Sequence, residues 1–87
     1  LEYPNSLFMA EFLFYKIKSY FKLKSYDALI DEAKIYLREY SSDENIPEVL
    51  SLTAKAHSNI GLNIDADYFF DRLFSEHADS KFAKWGL

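Results

Sequence analysis

The chain contains no cysteine, only two glycines and two prolines, and a single tryptophan. Without cysteine there is no disulfide, no thiolate metal site and no nucleophilic thiol. That absence fits many compartments and selects none. With Gly61 and Gly86 as the only glycines, no glycine-rich loop can cradle a phosphate, and no Gly-x-Ser-x-Gly elbow exists. So few turn formers also argue against an all-β chain built on many tight turns. No stretch reaches the ~18 apolar residues of a membrane span. The greasiest run, Leu7 to Tyr15, is interrupted by Glu11. An excess of positive charge is lacking too: the net charge is −4, whereas nucleic-acid binding needs a basic surface.

What is present suits a packed helical core. The 87 residues are 49% hydrophobic and 18% aromatic, enough apolar material to argue against disorder. That length allows one small domain or a piece of a larger one. The opening Leu1-Glu2-Tyr3-Pro4 carries no basic region and no initiating Met, so it does not read as an intact signal peptide.

The chain repeats itself every 37 residues: Glu2-Tyr3-Pro4-Asn5-Ser6 returns as Glu39-Tyr40-Ser41-Ser42-Asp43 and again as Glu76-His77-Ala78-Asp79-Ser80. A period between about 20 and 50 residues marks a stacked repeat architecture. The expected units are 6–42 and 43–79, with 80–87 opening a third. Residues 1–87 form a single array fragment, read as cut from a longer array.

Five helical segments are expected, giving an all-α fold of antiparallel helix pairs. The first runs from about Ser6 to Leu23, capped by Asn5 or Ser6. The second, about Tyr26 to Tyr40, has the cleanest apolar stripe: Tyr26, Leu29, Ile30, Ala33, Tyr36, Leu37 and Tyr40. The third starts near the polar break Ser41-Ser42-Asp43-Glu44 or by Pro47 and ends by Ile60, with Gly61 suited to the left-handed residue that closes a helix. The fourth spans about Ile64 to His77. Ser80 then caps a fifth, in which Trp85 packs on the fourth. Links of two to five residues force neighbouring helices into antiparallel pairs.

These residues resemble tetratricopeptide repeats, in the slightly long form found in bacterial envelope proteins such as outer-membrane assembly lipoproteins and the Tol-Pal coordinator type. The likeness rests on Glu2-Tyr3-Pro4-Asn5-Ser6 followed by Ala10-Glu11-Phe12-Leu13, on Tyr26-Asp27-Ala28-Leu29-Ile30, on Tyr36-Leu37-Arg38-Glu39-Tyr40, and on Tyr20 and Ala66. It covers essentially the whole chain. Departures are Lys16-Ile17 and Thr53-Ala54 where the family prefers Leu-Gly, His57 in place of a tyrosine, and Asn63 in place of Tyr26. They leave a divergent helical-hairpin array as the alternative.

The resemblance implies a non-catalytic scaffold that binds other proteins, in the periplasm or cell envelope of a Gram-negative bacterium. The cytoplasm is the alternative location. Alternative roles are a structural component of a large machine, such as a flagellar motor or secretion complex, and a non-catalytic domain of an enzyme whose active site lies elsewhere. By the family's register, Glu11, Phe14, Lys18, Phe21 and Lys22 line an inner groove. Glu48, Ser51, Lys55, Ser58 and Asn59 follow in the next unit. Such a lysine-and-aromatic wall suits an acidic, extended segment, and it competes with the simpler reading of lysines that solvate an exposed wall and of Phe14 and Phe21 packing against the neighbouring pair in the full array.

No catalytic, cofactor or metal constellation stands out. His57 and His77 occupy aromatic positions of the repeat and read as packing histidines, and no His-Glu-x-x-His exists. Asp65, Asp67 and Asp71 lack the glycine and the glutamate of a calcium loop and read as a solvated helix face. The expected partners are other proteins and neighbouring repeats of the same chain, not nucleic acid.

Overall fold

The helical periodicities are realised as five α-helices. The computed structural model describes residues 5–85 of the chain, with side chains described over residues 8–83. The helices are α1 (Asn5–Lys22), α2 (Tyr26–Glu39), α3 (Ile46–Asn59), α4 (Asn63–Glu76) and α5 (Lys81–Trp85), and the described residues contain no strand. The expected boundaries agree with these to one or two residues, the ordinary uncertainty of a helix end, with α3 starting beside Pro47 and not in the polar break before it. The Glu2-Tyr3-Pro4 copy of the motif, the caps expected at Asn5 and Ser6, and the packing of Trp85 fall outside the described residues or side chains.

Two hairpins result. α1 packs on α2 and α3 on α4; across the junction α3 meets both α1 and α2, and α5 lies against α3 and α4. α3 is therefore the one helix touched by all the others. Its sequence explains how: Ser51, Thr53, Ala54 and Ala56 are all buried, and small side chains let neighbouring axes approach within the usual 8–10 Å. Around it, Ile17, Leu29, Tyr36, Val49, Leu50 and Leu73 are the largest fully buried apolar side chains. The α2 stripe points inward as its spacing requires, with Leu29, Ile30, Ala33, Tyr36 and Leu37 buried.

The turns repeat in register. At the end of α1, Lys24 N–H bonds to Phe21 O at 3.1 Å and Ser25 N–H to Tyr20 O at 2.9 Å. At the end of α3, 37 residues later, Gly61 N–H bonds to Ser58 O at 3.1 Å and Leu62 N–H to His57 O at 2.8 Å. Both are complete Schellman closures, in which two amides beyond the helix satisfy its last carbonyls. Both need a left-handed residue, supplied by Lys24 (φ 60°) and Gly61 (φ 85°).

The polar break after α2 is fastened by Asp43. Its Oδ1 accepts the Tyr36 hydroxyl and the Asn45 amide. Asp43 thereby ties the loop to the core, since Tyr36 is fully buried. Burial, followed by the bond to the Asp43 carboxylate, holds the Tyr36 phenol well above its ordinary value of 10.0. One unit on, Ser80 fills the same place and accepts the Ala83 amide at 3.1 Å, the cap expected of it.

Candidate interaction surface

Two surfaces concern recognition: the wall shared by α1 and α3, and the outer face of α1. On the wall, Lys18 and Lys55 hold equivalent places in successive units, as do Lys22 and Asn59. Lys18 reaches across the junction to Glu48 at 3.7 Å and lies over the Phe14 ring at 5.0 Å. The wall therefore joins residues of both hairpins.

Only part of the expected groove is open. Phe14 is buried, near enough to Tyr36 for the two rings to pack at 6.4 Å, and Ser51 is buried as well. Neither is available to a partner. Phe21 is half-buried, edge-on to Tyr26 at 5.9 Å. Glu11, Lys22, Lys55, Ser58 and Asn59 are exposed, and Lys22 and Lys55 have no ion-pair partner among the described residues.

The lysines of α1 are thus of two kinds. Lys18 is committed to Glu48, and Lys16 to Glu32 of α2 at 3.1 Å. The Glu32 hydrogen bond holds the Lys16 amine above its ordinary value. Both pairs are half-exposed and contribute little net stability, but each removes a cation from what an acidic partner would meet. The basic wall is weaker than a tally of lysines suggests.

The outer face of α1 is the larger departure. Phe8, Met9, Phe12 and Tyr15 follow i, i+1, i+4, i+7 spacing and are 60%, 42%, 53% and 61% exposed. In α3 the same register positions of Met9 and Phe12 hold Ile46 and Val49, which are 3% and 0% exposed. Exposed Ser19 likewise corresponds to buried Ala56. Residues buried on α3 but open on α1 are those that the preceding hairpin covers. α1 therefore presents to solvent the face that α3 hides. Sequence reading missed this stripe because Phe12 and Tyr15 merge with the inward Leu13 and Phe14 into one apolar run. The 37-residue alignment with Val49 was the signal that could separate them.

The histidines are structural in form. His57 is buried, its Nδ1 lies 2.8 Å from the Thr53 carbonyl, and its ring stacks on Phe69 at 5.1 Å. His77 is half-buried at the end of α4. Asp65, Asp67 and Asp71 lie exposed on α4, and among the described residues no three His, Asp or Glu side chains are grouped to hold a metal ion. No described helix is long and apolar enough to cross a membrane. Comparison with family models, with curated proteins and with solved structures finds no match to this chain.

Proposed function

We propose that the chain is a non-catalytic interaction scaffold, a run of helical hairpins within a longer tetratricopeptide-like array. One observation carries the reading: Met9 and Phe12 are open where Ile46 and Val49, their counterparts one unit later, are buried on the helix that also meets the preceding hairpin. A further hairpin of the same build is the occupant that this face fits, because α3 already accepts one there. Burial of such a stripe is favourable by roughly 25 cal/mol per Å² of apolar surface, and repeat proteins draw their stability from such nearest-neighbour contacts.

The wall of α1 and α3 then serves a second protein. Lys22 and Lys55 are the cations left for an acidic, extended segment, with exposed Asn59 at the place equivalent to Lys22 one unit on. Placement in a bacterial envelope complex is supported by the Glu-Tyr-Pro-Asn-Ser resemblance alone.

The test is a Phe12→Lys, Tyr15→Lys double variant. The unaltered chain should associate with rising concentration in sedimentation and bind a hydrophobic dye. The variant should lose both while keeping its helicity and melting temperature. A native chain that stays monomeric and dye-free, or a variant that unfolds, would contradict an open docking face on α1.

A further inference from the structure

α2 and α4 both lean on α3 without approaching each other. Between them lies a cleft of about 360 Å³ whose lining includes Asp27 and Asp31 of α2, His57 of α3, and Asp65, Tyr68 and Phe69 of α4. It lies apart from both the α1 stripe and the lysine wall. Ile30, Ile60 and Leu62 supply its apolar remainder, and one lysine, Lys34, lines it as well.

The cleft is rich in acceptors. Asp27, Asp31 and Asp65 are exposed at the rim and form no ion pair among the described residues. His57 adds an acceptor from within. A backbone carbonyl can only accept, so the Nδ1 that meets Thr53 O carries the ring proton of the neutral side chain, and Nε2 is left with a lone pair. Nε2 forms no hydrogen bond among the described residues. Since no fully enclosed side-chain nitrogen or oxygen among the described residues lacks one, Nε2 is not fully enclosed, and His57 is among the residues lining the cleft. Phe69, stacked on the ring at an interplanar angle of 22°, holds it in that pose.

Three carboxylates and an imidazole lone pair over an apolar floor call for a cation with many donors and a greasy stem. Arginine fits best: its guanidinium donates in a planar fork and stacks on aromatic rings, while its methylenes cover apolar surface. Within the chain, the Arg72 guanidinium lies 6.0 Å from the Tyr68 ring one turn along α4. The volume lies at the small end of ligand pockets, suited to one long side chain and its neighbours and too small for a whole helix. Lys34 also lines an adjoining hollow together with Arg38 and Arg72.

We infer that this cleft binds an arginine-bearing extended segment of a partner protein. This goes beyond the proposed scaffold role by adding a surface of opposite charge preference on another face.

The probe is a fluorescein-labelled peptide of alternating Arg and Leu, titrated into the 87-residue chain at low salt and followed by anisotropy. Saturable binding is expected. It should weaken about tenfold in Asp31→Asn, Asp65→Asn, whose side chains are exposed and whose loss leaves the core intact. His57→Phe should weaken it about fivefold, and Lys22→Glu, Lys55→Glu should leave it unchanged. Equal binding by the aspartate variant, no saturable binding at millimolar peptide, or equally effective displacement by spermidine would overturn the inference. Spermidine would show simple charge attraction without recognition of a side chain. Dye binding at α1 is read on the same samples, so failure here is distinguishable from failure of the scaffold reading.

Discussion

Lys24 and Gly61 stand 37 residues apart and adopt the same left-handed backbone, closing α1 and α3 with the same pair of hydrogen bonds. One turn meets the demand with the residue type that suits it and the other does not. A side chain at positive φ costs roughly 1–2 kcal/mol, while glycine loses about 0.5–1 kcal/mol more backbone entropy on folding. Lys24→Gly should therefore stabilise the chain slightly, by about 0.5 kcal/mol. Gly61→Ala should destabilise it by about 1 kcal/mol, although a methyl there meets no atom within 4 Å, so the cost is conformational. Urea melts of the two variants read both signs.

Tyr36 makes stability sensitive to alkali. Its folded-state pKa lies above the unfolded value because burial and Asp43 disfavour the phenolate. The unfolded chain therefore releases this proton first as pH rises. Its contribution is complete below the ordinary value of 10.0 and is lost progressively above it. Melting temperature should fall above pH 10 more steeply in the native chain than in Tyr36→Phe. At pH 7 that variant should be weaker by about 1–2 kcal/mol, because Asp43 loses the phenol donor.

α3 is the helix most costly to damage. Leu50 is fully buried, so Leu50→Ala should lose about 2–5 kcal/mol through transfer and cavity terms. The exposed Ile64→Ala, at a side chain 87% open, should change stability by less than about 0.5 kcal/mol. Comparable losses in the two variants would mean that α3 is not the shared core.

Helix spans, turn positions and the inward stripe of α2 were legible in the sequence, since periodicity and the residues around Lys24, Gly61 and Ser80 are local signals. The candidate wall was legible only in outline. Repeat register gives the side of a helix on which Phe14 and Lys18 lie, but not how they settle. Phe14 packs inward against Tyr36, and Lys18 lies over that ring while pairing with Glu48. Those outcomes depend on how α1 sits against α2 and α3, which no single-helix pattern encodes. The α2–α4 cleft was hidden for the same reason: its acids read as ordinary solvated faces until α3 placed His57 between them.

Zero-length carbodiimide cross-linking puts the side-by-side stacking of successive hairpins to the most direct test, because it joins a lysine amine to a carboxylate already in contact. Lys16 and Glu32 lie 3.1 Å apart within the first hairpin, and Lys18 and Glu48 lie 3.7 Å apart across the junction. Peptide mapping of the monomer should recover both amide links. Recovery of the Lys16–Glu32 link without the Lys18–Glu48 link would mean that the hairpins fold but do not stack, and neither the α1 docking face nor the α2–α4 cleft would stand.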